Sequence, residues 1–294
     1  MSGKSFANLL LLSAIWGGSF LLLRLAAGAV GPAMLIGSRL MFAALFLSAI
    51  ALLMRKPMAL QGNVRHYAIL GGVNSALPFL LLAYSAQTLS TSMLSIINAS
   101  APIFGAVVGA IWMRQWLDLK TTLGLLLGSA GVVILVGFDG LVLDSNGIFA
   151  VLSCLGAALC YGIASNYARH AKPVNSFANA HGSMWASALM LLPLALLFPA
   201  RNPLTVELWL LMAILGVVCS GIAYLLYFKL IEDEGATSAL TVTYLVPVFG
   251  VMWGHGLLDE PIGWSTLLGC AVVLSGTAMV TGLKIRPMMA RLRG

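Results

Sequence analysis

The side chains able to do chemistry in this chain of 294 residues are few, and their placement favours recognition over catalysis. The acids Asp118, Asp139, Asp144, Glu207, Glu232, Asp233, Glu234, Asp259 and Glu260 all fall between long apolar runs or at their ends. A buried carboxylate pair, as acid–base catalysis or a proton relay would need, is absent from the sequence pattern. Cys154, Cys160, Cys219 and Cys270 sit singly inside apolar runs, at spacings that suit neither a disulfide framework nor a zinc site. No nucleophile motif or metal cluster appears, so the expectation is a protein that is not an enzyme, with no catalytic residue, metal or cofactor.

What remains is polar and aromatic, and it lies in mid-run. Arg39 is the single fixed charge deep inside an apolar segment, and exposing it to hydrocarbon would cost about 2.5 kcal/mol or more. Two roles fit it: attracting a substrate carboxylate through its two-pronged geometry, or capping helix ends and reaching to the membrane surface. Trp16, Ser19, Asn74, Asn98, Tyr161, Asn166, Tyr224, Thr243 and Tyr244 are the other candidate substrate-binding residues. An unpaired amide or hydroxyl in hydrocarbon is costly, so each must find protein, water or ligand. His181 and His255 are the candidate proton carriers, with simple interfacial hydrogen bonding as the alternative.

The segments carrying these residues must be membrane spans. Of the chain 60% is apolar and 9% charged, against roughly 25% charged in a soluble domain, and the mean hydropathy is +0.99. Too few charges remain to cover a water-facing globule, so the solvent is lipid. Apolar runs predict ten spans, near 6–24, 32–54, 66–86, 91–113, 119–138, 146–168, 175–199, 207–229, 236–258 and 262–283. With the N-terminus inside, Lys4, Arg55, Lys56, Arg65, Arg114, Lys120, Arg169, Lys172, Lys229, Lys284, Arg286, Arg291 and Arg293 all collect in the cytoplasm, while Arg24 and Arg201 lie outside. The net charge of +7 therefore reports topology and not a nucleic-acid partner, and both termini are expected to be cytoplasmic. Trp112, Trp116, Trp209 and Trp264, at span ends, fit an interfacial belt.

The chain is also a duplication. At an offset of 145 residues AILGGVNSALPFLL, from Ala68, faces AILGVVCSGIAYLL, from Ala213, with eight of fourteen positions identical. Pro102, Phe104, Gly105 and Gly109 meet Pro247, Phe249, Gly250 and Gly254, and Gly137 meets Gly282. Lys4 and the apolar run after it resemble a secretory signal, but Gly17 and Arg24 have mates in Gly162 and Arg169, which argues that the segment belongs to the repeat. Residues 1–140 and 141–294 are expected to form two five-helix repeats of one membrane domain. Five is odd, so the second repeat enters the membrane inverted, the arrangement that underlies alternating access. Pro102 and its mate Pro247 are candidate symmetric hinges, and Pro78 is a third without a mate. Gly105 with Gly109, Gly124 with Gly128, and Gly250 with Gly254 offer faces for close helix packing, within a monomer in preference to a dimer.

Taken with Arg39, the sequences IWGGSF (from Ile15), NASAPIFGAVVGAIW (from Asn98), TYLVPVFGVMWGHGLLDE (from Thr243), LGLLLGSAGVVILVG and LLGCAVVLSGTAMVTG resemble the drug/metabolite transporter superfamily in its EamA-type ten-helix branch. The resemblance covers the whole chain, with the YddG-type amino-acid exporters as similar members. It implies an all-α integral membrane fold of two inverted repeats, with spans 1–4 and 6–9 around a central cavity and spans 5 and 10 bracing the outside. It further implies a multi-pass protein of the bacterial inner membrane that exports small metabolites, amino acids including aromatic ones foremost, with the lipid bilayer its other partner. Drug-like cations, nucleotide-sugars or other metabolites are alternative cargoes, the first calling for a buried acid and the second for more buried cations than Arg39. A membrane scaffold or receptor is the alternative from another class. One departure from symmetry stands out: Asp259 and Glu260 face Arg114 and Gln115.

Overall fold

The computed structural model describes residues 3–56, 58–137, 145–235 and 241–281, and those residues form helices with no strand among them. The expected repeat boundary at 140/141, Asp139, Asp144, Gly282 and the basic residues Lys284, Arg286, Arg291 and Arg293 lie outside the described residues. Ten apolar helical segments follow one another: α1 Gly3–Val30, α2 Pro32–Leu53, α3 Val64–Ser85, α4 Thr91–Met113, α5 Leu119–Gly137, α6 Ser145–His170, α7 Ser176–Leu197, α8 Val206–Glu234, α9 Val242–Leu258 and α10 Trp264–Thr281. Nine are long and apolar enough to cross a bilayer outright, and α9 is the shorter tenth. The face at which α1 begins is called proximal here and the opposite face distal.

Local chemistry sets the ends of these helices. Gly31, at φ +84, supplies a backbone that L residues rarely adopt, and Pro32 then opens α2 where its missing N–H costs nothing. Ser90, Asn175 and Thr205 cap α4, α7 and α8 by accepting from Met93, Phe177 and Leu208 backbone N–H groups. Asp118 accepts from the Thr121 N–H at the start of α5, and hydrogen bonding from Thr121 holds its carboxyl below the usual carboxylate value. α1 runs six residues beyond the expected end at Arg24. The charge does not stop the helix, because the Arg24 guanidinium folds onto the carbonyls of Ala86 and Gln87, at 3.0 and 2.8 Å, where α3 ends.

Glycines carry the packing, and they do so twice. A Cβ on Gly17 of α1 would lie 2.7 Å from Phe249 Cβ and 2.9 Å from Gly250 N in α9. At the equivalent positions, a Cβ on Gly162 of α6 would lie 2.8 Å from Gly105 N in α4. Helices α5 and α10 pair through Gly124 against Gly276 and Gly131 against Val273, so the small-residue face of α5 is used inside the molecule. Leu52, Ile111, Leu126, Val133 and Leu197 point outward, as lipid-facing side chains do. Trp112, Trp116, Trp209 and Trp264 are exposed at span ends.

Candidate functional site

Helices α1, α2, α3, α4, α6, α8 and α9 converge on a cavity of about 300 Å³, with α5 and α10 outside it. α7 contributes no wall, and the reason is visible in the repeat: Arg39 of α2 lines the cavity, while its mate in α7 is Met184, fully buried in the core.

Two features of the backbone shape the walls. In α3 a π-helical turn spans Gly72–Ala76, and at the equivalent place in α8 another spans Val217–Ile222. Each inserts extra backbone into an otherwise α-helical span, a feature common at functional sites. Asn74 and its mate Cys219 face the cavity from these turns. The second feature is a break in α4, between Thr91–Asn98 and Ala101–Met113. Asn98, Ala99 and Ala101 at the break line the cavity, and the turn between the half-helices closes on itself, Ser100 N–H donating to Ile97 O at 3.0 Å and Ile103 N–H to Ser100 O at 2.9 Å. Non-helical backbone at membrane depth is tolerated in such a setting.

Arg39 is 3% exposed, and among the described residues no acid lines the cavity beside it. Nε donates to Ser220 Oγ at 3.0 Å, and Cζ stands 3.9 Å from the centre of the Phe79 ring. Ser220 in turn donates to Leu215 O at 3.2 Å across the π turn. Gly216 lets α8 come this close, since a Cβ there would lie 2.5 Å from Arg39 O. Among the described residues the bond to Ser220 is the guanidinium's one hydrogen bond. Its remaining donors therefore call for an anion.

Aromatic rings form part of the lining. Trp16 lies 5.5 Å from Tyr227 and 6.4 Å, edge-on, from Tyr224. Asn74 Nδ2 donates to Tyr224 Oη at 2.9 Å, which fixes that ring. Asn98 Oδ1 is buried and has no hydrogen-bond partner among the described residues, an acceptor left for something to donate to.

A buried cation, an orphaned acceptor and an aromatic wall in a membrane cavity are the parts of a carrier, and comparison with known proteins bears on that point. Residues 4–137 and 148–282 each match the model of the EamA-like transporter family. The chain belongs to that family. As an EamA-like transporter it is similar to an uncharacterized transporter of Bacillus subtilis, YoaV, at 24% identity over 95% of this chain and 97% of that one. It is likewise similar to an uncharacterized inner membrane transporter of Escherichia coli, YedA, at 23% identity over 94% and 90%. A solved crystal structure with 18% identity shares the fold, with a TM-score of 0.68 over 97% of this chain and 99% of that one.

In this EamA-like transporter eight of the ten sequence-predicted binding residues line the one cavity: Trp16, Ser19, Arg39, Asn74, Asn98, Tyr161, Tyr224 and Thr243. Two do not. Asn166 is turned into the α4–α6 contact, where Nδ2 donates to Gly105 O at 2.8 Å and Gly162 O at 2.9 Å. Tyr244 lies outside the cavity wall and hydrogen-bonds Thr281 of α10. The candidate proton carriers also lie away from the cavity. His181 Nε2 meets Ser48 Oγ at 2.9 Å, and the exposed His255 faces the Glu260 carbonyl through Nδ1 at 3.0 Å. The prolines differ from a symmetric pair of bends. Pro102 follows the break in α4, in the first turn of the new half-helix, whereas Pro247 sits inside the continuous α9. Pro78 opens the α-helical part of α3 directly after its π turn.

Sequence reasoning missed Phe79, Tyr227 and Ser220. Tyr227 was within reach, being one turn from Tyr224 on the same helix face. A larger crevice of about 650 Å³ among the distal ends of α2, α3, α6 and α7 has mainly apolar walls such as Leu80, Phe149 and Leu197, with Arg201 at its edge already bonded to Gln87 Oε1.

Proposed function

We propose that this EamA-like transporter carries small zwitterionic metabolites, amino acids including aromatic ones, outward across the bacterial inner membrane by alternating access. The observation that carries the proposal is Arg39 as the sole charged residue lining the cavity among the described residues, in the same cavity as an unpartnered Asn98 carbonyl oxygen. A substrate carboxylate fits the guanidinium donors that Ser220 leaves free. A substrate ammonium fits Asn98 Oδ1, the buried acceptor without a partner. Trp16, Tyr224 and Tyr227 offer an aromatic side chain a stacking surface.

The volume supports one small metabolite, since pockets for drug-sized ligands span about 300–1,000 Å³. A drug-like cation is disfavoured by Arg39 and by the absence of an acid among the described residues that line the cavity. Among the described residues no carboxylate lines the cavity and both histidines lie away from it, which supports gradient-driven transport independent of a pH gradient. The two glycine contacts, α1 with α9 and α4 with α6, are the exchanging closures of the cycle. The distribution of lysine and arginine in the sequence supports a cytoplasmic proximal face and cytoplasmic termini, with the distal face external.

Trp16→Ala and Tyr161→Ala are each expected to lower the transport rate about tenfold, the equivalent of losing roughly 1.4 kcal/mol of aromatic contact. The yield and thermal midpoint of the purified protein should stay near those of the parent. Parental rates in both variants would move the site elsewhere.

A further inference from the structure

We propose that Glu260 is a positioning residue of the transport cycle, a charged latch that holds the distal side of the cavity shut by tying the second repeat to the first. The proposal rests on the alternating-access reading above. Glu260 follows α9, yet its carboxylate lies against the start of α4: Oε1 accepts from Thr91 N at 2.7 Å, and Oε2 from Ser92 N at 3.1 Å and Ser92 Oγ at 3.0 Å. The first N–H groups of a helix have no helical partner and carry its positive end, so an anion satisfies both needs at once. Ser90 already takes the Met93 N–H, and the carboxylate completes the set with the two before it.

The latch bears directly on the cavity. The half-helix it holds is Thr91–Asn98, which carries Ser95 and Asn98 into the cavity wall. Glu260 is itself anchored, its N–H donating to Gly254 O at 3.1 Å. Gly254 makes room for the crossing, because a Cβ there would lie 2.3 Å from Oε2. One turn further toward the cavity, Gly250 packs on Ser95 and on Gly17 of α1, so releasing Glu260 frees three spans at one face.

The repeat supplies an independent observation. Arg114 and Asp259 are equivalent residues, and both adopt the left-handed conformation, at φ 53 and φ 51. The chain thus builds the same helix end on each face, and the difference is the next side chain: Glu260 distally, the exposed neutral Gln115 proximally. An amide brings no charge to a helix end. The closure is therefore stronger on the distal side, and the empty carrier rests with that side shut.

Cys219 lines the cavity and serves as a native reporter. With Cys154, Cys160 and Cys270 replaced by alanine, its labelling by a membrane-impermeant maleimide is measured in vesicles of both orientations. A cysteine replacing Ile262, in a parallel protein with Cys219→Ala, identifies the face that bears Glu260. Glu260→Gln is expected to raise Cys219 labelling from that face about tenfold, as the loss of charge-assisted hydrogen bonds implies, with Glu260→Asp intermediate. Ser92→Ala, which removes one of the three bonds and leaves the charge, should shift labelling in the same direction by less. Labelling from the Glu260 face equal to the parent in Glu260→Gln and Ser92→Ala, with Cys219 still labelled from the other face, overturns the latch and leaves alternating access standing. Labelling from neither face in every protein overturns both.

Discussion

Replacing Arg39 by methionine is expected to reduce transport about 100-fold while leaving the protein folded. The side chain is buried with its cationic head at the cavity, and its one hydrogen bond among the described residues goes to Ser220. Losing charge-assisted bonds to a substrate carboxylate removes about 3 kcal/mol of binding, which is the factor quoted. Folding should survive, because Ser220 keeps its bond to Leu215 O and methionine fills the space along Phe79 without a buried charge to desolvate. Arg39→Lys should recover part of the rate, since it restores charge without the planar fork. The check is initial uptake per folded molecule in liposomes beside the thermal midpoint of the same preparation. Parental transport in Arg39→Met would mean that Arg39 serves only to join α2 to α8.

The second large effect is on stability. Gly17→Val should lower the yield of folded protein severely, because its Cβ would have to lie 2.7 Å from Phe249 Cβ and 2.9 Å from a backbone nitrogen, where nothing flexible can yield. Overpacking of this kind costs about 1–3 kcal/mol or more. Gly18→Ala is the control one residue along, where a Cβ would stand 3.6 Å from the Trp253 indole nitrogen, an ordinary contact. Size-exclusion profiles and thermal midpoints in detergent compare the two. Equal stability would show that α1 and α9 do not need this close approach.

Much of this was legible in the sequence because lipid simplifies the code. A span needs about 20 apolar residues, and a polar side chain within one has few places to go, so Trp16, Asn74, Asn98, Tyr161 and Tyr224 could be picked out by depth alone. The offset of 145 residues makes Trp16 the mate of Tyr161, Asn74 of Cys219 and Asn98 of Thr243, and all six line the cavity. Depth does not reveal direction, however, and Asn166 lies at the right depth but turns toward Gly105.

The π turns were present in the sequence in an unread form. The best-matched fragments, from Ala68 and Ala213, are the ones that contain Gly72–Ala76 and Val217–Ile222. The π turn of α8 directly follows Gly216, which packs on Arg39 O of α2, a contact between residues far apart in the chain that sequence spacing does not display. The latch was hidden for a similar reason. Glu260 looked like a loop acid because Thr91 and Ser92 are distant in the chain, although its departure from the repeat at Gln115 was visible. Arg24 misled the span boundary because a charge was read as a helix end when it caps one.

The most direct test of the central claim is uptake of labelled phenylalanine, within a panel of other amino acids, into liposomes holding the purified protein, with and without a pH gradient. Saturable uptake of the same rate in both conditions, competed by amino acids and not by their decarboxylated amines, is the expected result. Uptake that requires the pH gradient would contradict gradient-driven transport and return His181 and His255 to the mechanism. No uptake of any amino acid would contradict the assignment of the Arg39 cavity to zwitterionic cargo.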